Sequence, residues 1–251
     1  MVKFRDMGDQ EIPLEGGHSG FAVSKVGDTV RRVQSEHSKF EHDLLLLLEA
    51  KGFEYAPRFL GIDENDREIL SYVDGVTPRE SYEPKEDVFA KVMHILKKFH
   101  DATADSVLAE DKEVVCHNDF APWNTVVKDG VIVAMIDFGG ATPGYRVQDI
   151  AYSFWTFLEL SDYAKTDKNL QQLGRIYSLY GEFDAHAFLP ALIQHQNETL
   201  AMRKYKAQHE AAEEMREFSR VRIEQIEKEI AWTQENSEDI KKLLGVSYGA
   251  L

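Results

Sequence analysis

The chain has 251 residues, with 29 Lys and Arg against 44 Asp and Glu, so its formal net charge is −15, and 43% of its residues are hydrophobic. This length suits one globular domain or two tightly packed lobes, which bury a core without a metal or disulfide staple. The single cysteine, Cys116, excludes an intramolecular disulfide framework and favours a reducing compartment, and the acidic excess argues against nucleic-acid binding through phosphate contacts.

Membrane insertion is not expected from the sequence. The longest unbroken aliphatic run, Leu44 to Leu48, is far too short to cross a bilayer. Residues 1–17 lack the apolar stretch of a secretory signal. We therefore expect a cytoplasmic protein that binds neither membrane nor nucleic acid. The negative charge would suit a neutral or cationic small substrate, although a well-solvated surface is the plainer explanation.

The first third is predicted to form a small sheet with one helix. Gly27-Asp28 supplies the positive φ that a tight hairpin needs, and Gly52 is the predicted C-cap of the helix. Five successive leucines cover more than one helix face, so we expect this helix to be packed on two sides. The predicted elements are strands at 21–26 and 29–33, a helix at 38–51, and strands at 57–62 and 67–73.

The remainder is predicted to be mainly helical, after a linker at 74–78 that contains Gly and Pro. We place a domain boundary there, with an N-terminal lobe over 1–73 and a C-terminal lobe over 74–251. The predicted elements of the second lobe are a helix over 86–103, a hairpin centred on Asp129-Gly130, and helices from Val147 onward, including a long charged one within 210–236.

Three polar side chains flank the predicted hairpin. Asp119 and Asn124 lie in the run HNDFAPWN before it, and Asp137 follows it in the run IDFG. Because the hairpin reverses the chain, we expect Asp137 to return to the neighbourhood of Asn124. Magnesium prefers oxygen ligands and usually takes one or two from protein, which Asn124 and Asp137 could supply. Asp119 would then be free to accept the proton of an attacking hydroxyl.

These runs resemble the catalytic and metal loops of the aminoglycoside phosphotransferase and choline kinase family, whose members are distant relatives of protein kinases. The resemblance extends over about Leu14 to Tyr152. It implies an α+β, two-lobed protein-kinase-like fold, with a small N-terminal antiparallel sheet, one helix, and a larger, mainly helical C-terminal lobe. It also implies that Asp119 is the catalytic base, that Asn124 and Asp137 bind Mg²⁺, and that ATP is the phosphoryl donor.

The resemblance further implies a nucleotide site in the N-terminal third. A glycine loop would approach the phosphates, a cation would pair with them, an acidic residue on the helix would orient that cation, and hinge backbone groups would bind adenine. Arg31 is the favoured cation, although the neighbouring Arg32 is an alternative. The implied residues are Gly17, Ser19 and Gly20 in the loop, Arg31, Glu41 on the helix, and Ser71 and Val73 at the hinge.

Other residues near these motifs have simpler expected roles. Asn118 replaces the family's usual glycine, and we expect ordinary backbone angles there. His117 is expected to orient the loop, His100 to be a structural histidine, and Cys116 to be a buried, unreactive thiol. Asp149 resembles a family aspartate that braces the catalytic loop.

The expected activity is transfer of the γ-phosphoryl group of ATP to a hydroxyl of a small molecule by an ATP-dependent kinase. One alternative is a catalytically silent nucleotide-binding or scaffold protein of the same fold. A protein kinase ranks last, because Asp149 follows Asp137 too closely to leave room for a peptide-docking segment. The acceptor stays open between an aminoglycoside, a choline-like alcohol, an amino sugar and another metabolite.

Overall fold

In a computed structural model, the structure describes residues 10–14, 23–78, 85 and 87–246. The N-terminal part is a five-stranded antiparallel sheet with strand order β1-β2-β3-β5-β4 and one helix, α1. Its elements are β1 (Glu11–Pro13), β2 (Val23–Val26), β3 (Thr29–Val33), α1 (Ser38–Ala50), β4 (Phe59–Ile62) and β5 (Arg67–Ser71). The strands from β2 to β5 were predicted, whereas the edge strand β1 was not.

Helix α1 ends as its sequence predicts. Gly52 has a φ of 73°, and its N–H donates to Glu49 O at 3.0 Å, while Phe53 N donates to Leu48 O at 2.9 Å. A left-handed residue with such bonds is the usual glycine-terminated helix end. Of the leucine run, Leu44, Leu45 and Leu48 are buried and Leu46 is 48% exposed. The run therefore covers a wide buried face but leaves one member at the surface.

The C-terminal part is mainly helical and carries two short two-stranded sheets. Its elements are α2 (Val88–Thr103), β6 (Val114–Cys116), β7 (Thr125–Lys128), β8 (Val131–Met135), β9 (Thr142–Gly144), α3 (Arg146–Phe157), α4 (Thr166–Gly174), α5 (Ile176–Leu179), α6 (Phe188–His209), α7 (Glu213–Glu235) and α8 (Ser237–Leu243). The expected α+β class is confirmed. Strand β9, which pairs with β6, was not predicted. No helix within the described ranges is long and apolar enough to span a bilayer.

The predicted hairpin forms between β7 and β8. Asp129 and Gly130 have φ values of 54° and 80°, the two positive angles that a tight Asp-Gly hairpin turn requires. The linker attaches to this hairpin, because Val76 N donates to Val127 O at 2.9 Å and Val127 N donates to Val76 O at 2.8 Å. The segment between the lobes is therefore fixed to the C-terminal part.

Helix α2 lies at the centre of the core. The Asp87 side chain accepts a hydrogen bond from Ala90 N at 3.1 Å, so the helix begins at Val88, two residues later than predicted. Its apolar side chains are fully or almost fully buried against α1, α3 and β6. They are Phe89, Val92, Met93, Ile95, Leu96 and Phe99. This packing fixes the strand from which the HNDFAPWN loop emerges.

Candidate active site

Asp149 anchors the start of this loop from helix α3. Its buried carboxylate accepts hydrogen bonds from His117 N at 2.7 Å, Asn118 N at 2.8 Å and His100 Nε2 at 3.0 Å. Burial disfavours the charged form, but the hydrogen bond and charge of His100 hold the pKa of Asp149 below its usual value. Asp149 therefore braces the loop, as the resemblance implied.

His117 links the two loops of the site. Its Nε2 lies 3.1 Å from Ile136 O, and its Nδ1 accepts a hydrogen bond from Asp119 N at 3.3 Å. The ring packs on Phe138 with 4.9 Å between centroids. Burial lowers the pKa of His117, so the imidazole is neutral and donates from Nε2. His117 holds the backbone of both loops, as expected.

Asn118 adopts a left-handed backbone conformation. Its φ is 63°, so the expectation of ordinary backbone angles was wrong. Asparagine tolerates the left-handed region better than most residues. Its Nδ2 also donates to Gly140 O and to Thr142 Oγ1, both at 2.9 Å. The side chain therefore ties the loop to the segment after Asp137.

A potential metal-ligand cluster lies behind the loop but is internally satisfied. His100, Cys116 and Asp149 place ligand atoms within 4.8 Å of one another, and all three are buried. His100 is held between Asp149 and the Tyr180 hydroxyl, which lies 2.5 Å from Nδ1. Burial raises the pKa of the Cys116 thiol, which donates to Tyr145 O at 3.3 Å. These contacts agree with the structural roles expected for His100 and Cys116.

The structure brings Asp119, Asn124 and Asp137 together. Asn124 Nδ2 donates to Asp119 O and to Asp119 Oδ2, each at 2.8 Å. Ile136 N donates to Asn124 O at 2.9 Å, which places Asp137 at the next position beside Asn124. The reversal comes from the β7–β8 hairpin. Asp137 therefore returns to the neighbourhood of Asn124, as the hairpin predicted.

The oxygen atoms of this group suit a hard divalent cation. Because Asn124 uses its amide nitrogen to bind Asp119, its Oδ1 is left without a hydrogen-bond donor among the described residues. The Asp137 side chain is 53% exposed, and its nearest cation is Arg32 Nη1 at 3.4 Å. An amide oxygen and a carboxylate with open lone pairs are ligands that Mg²⁺ accepts.

Arg32, and not Arg31, pairs with Glu41. Arg32 Nη2 donates to Glu41 Oε1 at 2.5 Å, and its Nη1 lies 3.4 Å from Asp137 Oδ1. Arg31 has its Nε 3.6 Å from Asp63 Oδ2 and donates from Nη1 to Thr29 Oγ1 at 2.5 Å. Successive residues of a strand face opposite sides of a sheet. The expected pairing of Arg31 with Glu41 was therefore wrong, because the next residue of β3, Arg32, faces the helix.

A second buried carboxylate, Glu68, also holds Arg32. Glu68 lies opposite Arg32 in the β3–β5 register and accepts a hydrogen bond from its Nε. It lies 2.7 Å from His42 Nε2, and the His42 ring stacks on Phe59 at 3.9 Å between centroids. Burial opposes the charge, but Glu41 and Glu68 raise the pKa of Arg32, which stays a cation. The sequence analysis missed Glu68, because only the strand register brings it to Arg32.

The hinge residues differ in what they offer a ligand. Ser71 N donates to Arg58 O at 2.9 Å, and Ser71 Oγ accepts from Arg58 N at 2.8 Å, so these groups are already paired. The backbone of Val73 makes no hydrogen bond to any other residue that the structure describes. Gly17, Ser19 and Gly20, expected in the phosphate loop, lie outside the described residues.

The sequence and the fold have known relatives. Residues 96–186 match the phosphotransferase enzyme family. A trifolitoxin immunity protein of Rhizobium leguminosarum bv. trifolii is 32% identical over 173 residues, which cover 61% of this chain and 64% of that protein. The match thus spans less than two thirds of the relative's length.

Two solved structures show the same architecture. A choline/ethanolamine kinase family protein from Mesorhizobium loti superposes with a TM-score of 0.64 at 13% identity, over 95% of this chain and 94% of its own. An aminoglycoside phosphotransferase of Streptomyces rimosus, solved in complex with ADP and streptomycin, superposes with a TM-score of 0.52 at 16% identity. The superposition covers 71% of this chain and 92% of that protein. The expected family resemblance is confirmed over residues 96–186. The two-lobed kinase-like arrangement expected from it is the fold of these proteins.

Asp119 also contacts helix α3. The Tyr152 hydroxyl donates to Asp119 Oδ1 at 2.5 Å, and the Tyr152 ring meets His195 of α6 edge-on at 5.2 Å between centroids. One turn further along α3, Trp155 Nε1 donates to Glu229 Oε2 of α7 at 2.8 Å. Helix α3 therefore contacts the Asp119 carboxylate directly, and α6 and α7 pack against the same part of α3.

Proposed function

We propose that this chain transfers the γ-phosphoryl group of ATP to a hydroxyl group of a small molecule, with the help of Mg²⁺. The observation that carries the proposal is the convergence of Asp119, Asn124 and Asp137, with Arg32 of β3 beside Asp137. Phosphoryl transfer requires positioning and charge neutralisation more than covalent participation by protein. The two carboxylates and the amide of this group could position the acceptor hydroxyl and hold a cation that neutralises charge.

Asn124 and Asp137 would hold the metal, and bound Mg²⁺ would neutralise developing charge on the transferred phosphoryl group. Arg32 would bind phosphate oxygens from the opposite lobe. Its guanidinium is fixed by Glu41 and lies beside Asp137, so the metal ligand and the phosphate-binding cation face the same space. Val73 would bind adenine through its unpaired backbone groups. These assignments agree with the open lone pairs and free donors of the site.

Asp119 would act as the catalytic base. Its carboxylate accepts one bond from Tyr152 and one from Asn124 Nδ2. An ionised carboxylate offers about four lone-pair directions, so it can also accept a proton from an acceptor hydroxyl. The bonds from Tyr152 and Asn124 fix the carboxylate plane, which aligns the attacking oxygen with the phosphorus atom.

A second candidate is a catalytically silent chain of the same fold that binds nucleotide or a partner. It is favoured by the 32%-identical relative, which is a trifolitoxin immunity protein rather than a named kinase. Acceptor-dependent phosphoryl transfer would exclude this candidate.

The deciding experiment is an ATP-consumption screen over diverse hydroxyl compounds, with Asp119→Asn as the matched blank. We expect acceptor-dependent ADP formation that stops when Mg²⁺ is chelated. Removal of a general base slows a reaction roughly 10²–10⁴-fold, and we expect Asp119→Asn to lose at least about 100-fold in rate while it still binds ATP. An Asp119→Asn variant that phosphorylates a verified acceptor at the wild-type rate would contradict the assignment.

A further inference from the structure

Two arginines meet across the antiparallel pair of helices α6 and α7. Gln196 Nε2 of α6 donates to Glu229 O at 3.4 Å and to Thr233 Oγ1 at 2.9 Å, which fixes the register of the pair. Arg203 lies seven residues after Gln196, and Arg222 lies seven residues before Glu229. Because the helices run in opposite directions, Arg203 and Arg222 come to the same level, two turns from the Gln196 contact.

This level of the helix pair adjoins the proposed base. Tyr152 connects them, since its hydroxyl donates to Asp119 and its ring packs on His195 of α6. The Tyr152 ring also meets the Trp155 ring edge-on at 5.8 Å between centroids, and Trp155 Nε1 donates to Glu229 Oε2 at 2.8 Å. The other oxygen of that carboxylate, Glu229 Oε1, lies 3.9 Å from Arg222 Nη1. The negative charge of Asp119 opposes the lowering of the pKa of Arg203.

The positive charge of this cluster is incompletely neutralised. Arg203 pairs with no carboxylate in the described part of the chain, its Nε is buried without a hydrogen bond, and its guanidinium lies over the Phe218 ring at 5.0 Å. Arg222 donates to Gln225 Oε1 at 2.6 Å, and its Nη1 is 3.9 Å from Glu229 Oε1. Burial and the like charge of Arg222 lower the pKa of Arg203. An anion between the two guanidiniums would relieve both effects.

Glu229 does not fill this role. Its Oε2 already accepts the hydrogen bond from Trp155, and burial raises the pKa of its carboxyl. At 3.9 Å, its contact with Arg222 is longer than a hydrogen bond, and it makes no ion pair with Arg203. No carboxylate of the described residues therefore pairs with Arg203, and its buried Nε has no hydrogen-bond acceptor.

We infer that Arg203 and Arg222 form an anion-binding subsite, so that the phosphoryl acceptor is a hydroxyl compound with a carboxylate or similar anionic group. This inference rests on the proposed function and narrows its substrate class. It reverses the preference for a cationic or neutral acceptor that the net charge of −15 suggested, because local charge at the site decides binding. Arginine also fits planar carboxylates through paired donors.

Three two-carbon probes of different charge test the subsite: glycolate, ethylene glycol and ethanolamine. Each carries a hydroxyl group, and only glycolate is an anion. Binding is measured by saturation-transfer NMR without ATP, for the wild type, Arg203→Gln, Arg222→Gln and the control Lys204→Gln. Lys204 is a neighbouring cation that pairs with Glu227 at 3.0 Å.

We expect glycolate to bind best and its affinity to fall about tenfold in Arg203→Gln and in Arg222→Gln, with no change in Lys204→Gln. Circular dichroism checks that each variant is folded. Equal or better binding of ethylene glycol or ethanolamine, unchanged glycolate affinity in both arginine variants, or no binding of glycolate would overturn the subsite. Because these measurements need no turnover, a failed ATP screen would remove the proposed activity and leave this result standing.

Discussion

The Arg32 guanidinium is surrounded by three carboxylates, those of Glu41, Glu68 and Asp137. Arginine has five donors in a planar fork, whereas lysine is a compact charge with three donors at one point. The fork allows Nε to bind Glu68, Nη2 to bind Glu41, and Nη1 to face Asp137. A lysine at this position could not make all three contacts at once. The second glutamate makes the longer fork necessary.

Replacement of Arg32 by lysine tests this assignment. Arg32→Lys keeps the charge but cannot span both glutamates and a phosphate, so we predict about a tenfold loss of MgATP affinity. Arg31→Lys is the matched control, because Arg31 faces Asp63 on the other side of the sheet. Isothermal titration with MgATP measures both. A larger loss in Arg31→Lys than in Arg32→Lys would restore the original prediction of Arg31.

These two arginines also show the limit of prediction at the residue scale. Their strand was predicted, but which of two successive residues faces helix α1 depends on the register with β5, which the sequence does not encode locally. The left-handed Asn118 was missed for a related reason. Its φ is imposed by bonds to Asp149, Gly140 and Thr142, all distant in sequence.

At the scale of elements, the linker between the lobes depends on one glycine. Gly75 has a φ of 150°, and a Cβ there would lie 2.6 Å from both Val126 Cγ1 and Val127 O. The close approach permits the paired bonds between Val76 and Val127. The linker can therefore pair with β7 in this way only if residue 75 lacks a side chain.

Gly75→Ala should consequently destabilise the fold by roughly 3 kcal/mol or more, because it adds a steric clash to an unfavourable φ. Gly52→Ala is the matched control, since Gly52 also has a positive φ but has no atom within 4 Å of its ideal Cβ. We predict a loss of about 1 kcal/mol there. Urea denaturation measures both values. Equal losses would mean that the contact with β7 is unimportant.

Elements with local signals were predicted well. The Asp129-Gly130 turn and the spacing of apolar residues in α2 carry their structure within a few residues. Strands β1 and β9 are three residues long and contain proline, so they lack the alternation that marks a strand. Their strand conformation comes from pairing with β2 and β6, which no local pattern specifies.

At the scale of the whole molecule, buried histidines link stability to pH. Burial lowers the pKa of both His117 and His195 in the folded state. The unfolded chain therefore binds more protons than the folded one as pH falls below about 6.5, the ordinary histidine value. Stability should decrease in that direction until the folded-state pKa values are reached.

We predict a lower unfolding midpoint at pH 5.5 than at pH 7.5, with a smaller difference in His195→Gln. Glutamine keeps a donor for Gln148 O, which His195 Nε2 contacts at 3.1 Å, but it has no proton to gain. His209→Gln replaces an exposed histidine and serves as the control. Thermal unfolding at the two pH values provides the measurement, and an unchanged pH difference in His195→Gln would contradict the prediction.

Some contacts in this region join residues that are close in sequence, and others join residues that are far apart. Only the first kind could be predicted. Asp119, Asn124 and Asp137 lie within one hairpin and its flanks, so local sequence predicted their proximity. Glu68, Arg203 and Arg222 reach their neighbours through sheet register and helix packing between distant segments. Their contacts were therefore less accessible from sequence than those of Asp119, Asn124 and Asp137.

The central claim is that Asn124 and Asp137 hold a metal ion for a bound nucleotide next to Asp119. The most direct measurement is ATP affinity with and without Mg²⁺ for the wild type, Asp137→Asn and Asp119→Asn. We predict Mg²⁺-dependent binding that Asp137→Asn loses and Asp119→Asn keeps. Mg²⁺-dependent ATP affinity at the wild-type level in Asp137→Asn would contradict the claim.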